Sequence, residues 1–229
     1  SCVGCPYPLS STFSKVTSQP RHETPPEMNI LMLLQSEFPP DIRVEKEAKA
    51  LIKAGHRVHL FCKNSSGNPD EDVLGIHVHR IQSPNERITR LVNFPLFFNP
   101  FWIRQARDIV NNYDIDVIHA HDLPMAPLAL LISGTRPVVY DMHENYPAAL
   151  RSWNRRDIVS RLFKNPDLAE KLENRVWNKA DAILVVVEEQ RQRLIELGLA
   201  ESKVSTVGNR VEGEAFLQLP IQDELIDLY

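Results

Sequence analysis

Apolar and polar positions along the 229-residue chain fall into short blocks of two alternating kinds. "MNILMLLQS", from Met28, is a continuous apolar run too short for a typical helix, and it suits a strand covered on both faces. From Asp41 the period changes: Val44, Ala48, Leu51 and Ile52 recur at helical spacing while Arg43, Glu45, Lys46, Glu47 and Lys49 face water. Asp41 supplies an N-cap and Gly55 a stop. "HRVHLFCK" and "GIHVHRI" predict strands on either side of a polar loop over Asn64 to Asp72. A helix near 101–112 leads into the strand "IDVIHAHD"; "PMAPLALLI" makes a short helix and "RPVVYDMHE" a strand. Helical periodicity returns over 156–164 and 167–179. The strand "DAILVVV", the helix "EEQRQRLIELG" stopped at Gly198, and a last strand in "SKVSTVGN" complete the series.

Strands alternating with helices predict right-handed crossovers, and so an α/β, Rossmann-like, mostly parallel sheet with helices on both faces. The pattern occupies residues 28–216. Residues 1–27 are rich in Ser, Thr and Pro without periodicity and are expected to form a disordered extension. Such a sheet binds ligands outside the carboxyl ends of its strands. Three of those ends carry unusual chemistry: "QSEFPPDIR", "HAHD" and "DMHENYP". The first holds Pro39 and Pro40 where a nucleotide-binding βαβ unit has glycines, so it offers no ready phosphate cradle, and the absence of G-x-G-x-x-G argues against a dehydrogenase.

Composition narrows the classes further. Hydrophobic content of 43% and charged content of 24% are ordinary for a water-soluble globular protein, and a net charge of −4 gives no attraction to nucleic acid. Cys2, Cys5 and Cys62 are too few for a disulfide framework, and Cys62 in an apolar strand fits a reduced, buried thiol and a cytoplasmic setting. "CVGC" is one isolated half-site and predicts no metal.

At the strand ends, His119 and His121 share one side of their strand with Asp122 following, and Asp141, His143 and Glu144 stand at the next. No H-E-x-x-H or comparable local motif fixes three ligands, so the expectation is a polar ligand cleft without a metal. His143, followed by Glu144, Asn145 and Tyr146, either donates to a sugar hydroxyl or a developing negative charge, or holds the following loop in place. His121 and Asp122 divide equally between loop structure and ligand contact. Arg43 either meets an anionic group or is solvated.

In this order, "MNILMLLQSEFPPDIRVEKEAKALIKAGHRVHLFCK", "DVIHAHDLPMAPLALLI", "PVVYDMHENYP" and "ADAILVVVEEQRQRLIELGLAESKVSTVGNRVEGEAF" resemble the N-terminal half of the GT-B glycosyltransferases of the retaining family 4 group. The resemblance implies an acceptor-binding domain that faces, across a cleft, a C-terminal domain holding a UDP-, GDP- or ADP-sugar, with residues 217–229 starting the linker toward it. It implies sugar transfer to a glycan or lipid-linked acceptor, no bound cofactor, and negligible activity of this half alone. The family's histidine after the fifth strand maps onto His143 as the catalytic residue, with Arg43, His121, Asp122, Glu144 and Asn145 around the substrate. Departures are the "FPPDIR" loop where many relatives have a Gly-Gly pair, Val187 or Glu188 in place of a serine, and Asn209-Arg210-Val211-Glu212 in place of Asn-Gly-Val-Asp. Two alternatives remain: a nucleotide-sugar 2-epimerase of the same architecture, and a non-catalytic carbohydrate-binding or interaction module.

"NFPLFFNPFWIRQAR" sets Phe97, Phe98, Phe101 and Trp102 beside Arg104. Aromatic and basic residues together suit peripheral contact with the cytoplasmic face of a membrane, and core packing of a capping helix explains the aromatics equally well.

Overall fold

A computed structural model describes residues 26–81, 99–152 and 165–208. Its elements are β1 (Asn29–Leu33), α1 (Ile42–Lys53), β2 (Arg57–Lys63), β3 (Glu71–Val73), β4 (Ile76–Ile81), α2 (Pro100–Asn112), β5 (Val117–His121), α3 (Asp122–Ile132), β6 (Val138–Met142), α4 (Tyr146–Ser152), α5 (Pro166–Lys179), β7 (Ala182–Val185), α6 (Glu188–Glu196) and β8 (Val204–Thr206). The eight strands form one sheet in the order β3-β4-β2-β1-β5-β6-β7-β8, parallel except for the β3–β4 pair. This is the α/β, Rossmann-like architecture that the alternation predicts.

Side-chain alternation divides the core in two. Ile30, Met32, Val58, Leu60, Cys62, Ile76 and Val78 point to the face covered by Val44 and Ala48 of α1. Leu31, Leu33, Phe61, Ile118, Ala120, Tyr140, Met142, Ile183 and Val185 point to the other, where α2, α3, α5 and α6 contribute Trp102, Ala106, Met125, Ala129, Val176 and Leu194. Chain order reverses between β1 and β5, so this boundary is the switch point at which the loops after the two strands part and leave a crevice. On the α1 face, beyond the helix, an apolar groove of about 570 Å³ runs over β5, β6 and β7, with Glu47 and His119 in its wall.

The α1 boundary follows the sequence closely. Asp41 accepts hydrogen bonds from the Arg43 and Val44 amides, and Gly55 follows the helix with φ +92°. Two elements depart from expectation. The polar loop over Asn64 to Asp72 ends in strand, because Glu71–Val73 turns back antiparallel on β4. α4 was not foreseen; Asn145 starts it by accepting from the Ala148 amide at 3.2 Å. Beneath the first loop, the buried Arg80 guanidinium donates to the carbonyls of Phe38 and Pro69 and to Glu71 Oε1. Cys62 is a free, buried thiol, pushed up to about 11 by that burial.

Trp102 corrects the membrane-contact expectation: it is 5% exposed and packs edge-on against Phe61, so it belongs to the core. Phe101 and Arg104 of the same helix are exposed. Phe97 and Phe98 lie outside the described residues, as do the expected helix over 156–164, residues 1–25 with Cys2 and Cys5, the stretch Asn209 to Glu212 and the linker 217–229. Among the described residues no helix is long and apolar enough to cross a membrane.

Glu173 of α5 is buried with its Oε1 3.5 Å from the Tyr140 hydroxyl, and burial pushes its carboxyl up to about 8 from an ordinary 4.5. A carboxyl raised on folding favours the native state fully below its unfolded value and withdraws that support as pH climbs to the folded value. Glu173→Gln, neutral at every pH, is therefore expected to match the parent at pH 4 and to exceed it by on the order of 3 kcal/mol at pH 9. Urea unfolding at the two pH values measures this; a difference independent of pH would contradict it.

Candidate functional site at the carboxyl ends of β5 and β6

Alternation on two neighbouring parallel strands builds the site. Register sets Ala120 beside Tyr140 and His121 beside Asp141, so His119 and His121 of β5 and Asp141 of β6, with His143 just beyond it, share the α1 face. Glu47 descends onto them from α1. The sequence pattern suggested that Glu47 faces water, yet it lies three residues after Val44 and four before Leu51, on the stripe that α1 turns to the sheet. That spacing is the signal by which it could have been found.

Asp141 is the hub. Its Oδ2 accepts from His121 Nδ1 at 2.9 Å, is in contact with His143 Nε2, and lies 3.9 Å from His119 Nε2. Glu47 Oε2 stands 3.6 Å from His119 Nε2 and 4.0 Å from His121 Nδ1, and Glu47 Oε1 is 3.8 Å from His143 Nε2. The His119 and His121 rings stack with centroids 4.5 Å apart. Burial opposes ionisation of Asp141, but hydrogen bonds from His121 and His143 outweigh it and hold the carboxyl below its usual range. Burial likewise opposes a charged His143, and the Asp141 carboxylate reverses the balance, raising its pKa. Glu47, buried beside the Asp141 charge, is pushed up to about 7, and burial with His121 nearby drives His119 down to about 3.

Above this floor lies a more exposed rim. Arg43 donates from Nη2 to Asp41 at 3.0 Å and from Nη1 to Asp122 at 3.5 Å, which ties the start of α1 to the start of α3 across the switch point. Asp122 adopts φ +62° in the first turn of α3, where a carboxylate suits the positive end of the helix dipole. Glu144 is exposed.

The residues singled out from the sequence therefore meet in one place but in two layers. Arg43, Asp122 and Glu144 form the rim. His121 and the side chain of His143 lie beneath it, 1% and 4% exposed, as parts of a buried network and not as groups on an open wall. Arg43, expected either to meet an anionic group or to be solvated, is paired with the carboxylates of Asp41 and Asp122. Asn145 serves the α4 N-terminus.

Among solved structures, sucrose-phosphate synthase from Thermosynechococcus elongatus aligns over 86% of this chain and 54% of its own, at 14% identity and a TM-score of 0.59. HepE from Anabaena in complex with UDP-glucose aligns over 88% and 49% at 16% identity and 0.52. The lipopolysaccharide outer core galactosyltransferase WaaB aligns over 80% and 46% at 11% and 0.52. At these identities the likeness is one of fold, and the chain spans about half the length of each. No curated protein matches in sequence. The sequence model of Glycosyltransferase Family 4 matches residues 42–214, three quarters of the chain, and the protein belongs to that family.

Proposed function

We propose that this chain is the acceptor-binding half of a retaining glycosyltransferase, with the crevice at the ends of β1, β5 and β6 receiving the hydroxyl to which a sugar is transferred from a nucleotide-sugar. The observation that carries this reading is the charge of the rim. Arg43 is divided between Asp41 and Asp122, so its charge is met by two carboxylates, and Glu144, exposed in the chain just after His143, adds another. Such a surface repels a diphosphate and suits hydroxyl donors, because an ionised carboxylate accepts hydrogen bonds and offers none. The first loop reinforces the point, since it has no glycine to bring backbone amides to a phosphate.

Within this reading Asp122 and Glu144 accept from sugar hydroxyls. His143 lies just below them with its Nε2 against Asp141 and its Nδ1 without a partner among the described residues. A ring held at Nε2 by a carboxylate is favoured in its protonated form, and in that form its Nδ1–H is the donor offered to a substrate hydroxyl or to charge developing during transfer. The nucleotide and its phosphates then belong to a second domain beyond this chain. HepE, of similar fold, is known in complex with UDP-glucose, which supports a nucleotide-sugar donor.

Two outcomes are expected. Titrated with saccharides, the 229-residue chain should show NMR shift changes at Arg43, Asp122 and Glu144, while UDP-glucose should leave them unmoved to millimolar concentration; micromolar binding of UDP-glucose here, with no response to any saccharide, overturns the acceptor assignment. In a protein carrying both domains, His143→Ala should lower kcat by about 10²-fold or more with KM for the nucleotide-sugar little changed. An unaltered kcat assigns His143 to loop structure alone.

A further inference from the structure

We propose that Glu47, His121, Asp141 and His143 form a binding site for one divalent transition-metal ion of the zinc class. The sequence carries no local metal motif, because the four ligands come from three separate elements: α1, the end of β5, and the end of β6 with the residue after it. One ligand atom from each, His121 Nδ1, His143 Nε2 and a carboxylate oxygen of Glu47 and of Asp141, all lie within 4.8 Å of one another. Tetrahedral zinc with bonds of 2.0–2.2 Å requires ligand atoms about 3.4 Å apart. The separations are 2.9 Å between His121 and Asp141, 3.8 Å between Glu47 and His143 and 4.0 Å between Glu47 and His121, with His143 and Asp141 closer than any of these, so they spread to both sides of that value. Small rotations about the side-chain bonds bring the set onto one ion.

A second observation points the same way. His119 is buried, its Nε2 has no hydrogen-bond partner, and it is aimed into the cluster at 3.6 Å from Glu47 and 3.9 Å from Asp141. Glu47 Oε2 is also buried without a partner. Two carboxylates and three imidazoles packed this closely present lone pairs to a common centre, and a single divalent cation neutralises both carboxylates and takes up the lone pairs of His121 and His143. Two imidazoles in the set favour zinc, cobalt or nickel over magnesium or calcium, which prefer all-oxygen shells.

Four protein ligands leave no open position for water, so the ion is structural: it pins α1 to the ends of β5 and β6 and fixes the floor under the rim. Coordination through Nε2 also leaves the His143 proton on Nδ1, the atom without a partner. The outer nitrogens, His121 Nε2 and His143 Nδ1, have no partner among the described residues, and a site lacking such support binds about 10–100-fold more weakly than one that has it. The ion is therefore expected to exchange, and its detection calls for reconstitution.

The test uses the full chain with Cys2→Ser and Cys5→Ser, which removes the Cys-x-x-Cys pair, and with His77→Gln, which breaks up the separate histidine group around His59 and His79. After dialysis against EDTA, calorimetric titration with Zn2+ should show one equivalent bound. Co2+ should give the visible absorption of a tetrahedral N/O site without a thiolate charge-transfer band. Glu47→Gln and His143→Gln, each checked for native circular dichroism, should weaken Zn2+ binding at least ~10-fold and lose the rise in Tm that Zn2+ gives the parent. If the parent binds no stoichiometric Zn2+ or Co2+, the site does not exist, whatever the variants do. If folded variants bind as tightly as the parent, the ion sits elsewhere and the assignment is overturned.

Discussion

A buried carboxylate governs this molecule's site. Asp141 sits at the end of a central strand, almost without solvent, and stays ionised because imidazoles on its own strand end and the neighbouring one surround it. A lone carboxylate there would cost several kcal/mol, so the histidines are a condition of its presence and not ornaments of the cleft. In turn Asp141 orients His143 and His121, and Glu47 must come to rest against whatever charge remains. Apolar packing of Val44 and Ala48 sets α1 on the sheet, and that one group decides which polar side chains meet beneath it.

Much of this was legible in the order of residues. Period-two runs and period-four stripes gave the strands and helices because each apolar block is buried on the face its spacing requires, as Leu31 and Leu33 show on one side and Ile30 and Met32 on the other. "HAHD" and "DMHE" were visible as chemistry at strand mouths. Depth was not visible. Whether a strand-end histidine lies on the wall or under it depends on what the helix across the face brings down, and Glu47 looked solvated because charged residues surround it in sequence. The aromatic stretch fits lipid contact and core packing equally in the sequence, and the place of Trp102 on α2, directed at Phe61, decides for core packing at that residue. The short β3 escaped notice because it is exposed and polar, and only its pairing with β4 makes it a strand.

The rim and the floor divide the electrostatic work. Arg43 and Asp122, reaching across the switch point, join the two halves of the sheet where the loops after β1 and β5 part. A pair this exposed contributes little to stability, so its significance lies in alignment: the loops after β1 and β5 cannot drift apart without breaking it. Below, the same crevice is closed by groups buried from solvent. The outer layer can reorganise around a guest while the inner one keeps its geometry.

The anchorage of the first loop by Arg80 carries one more implication. A glycine-rich loop at this location would gather its shape around an anion and surrender chain freedom in doing so. Here two prolines stiffen the backbone and a guanidinium beneath it holds the Phe38 carbonyl, so that freedom is surrendered when the chain folds. A contour settled in advance selects among guests by fit, and discrimination at this wall is then a property of the resting protein and not of its response.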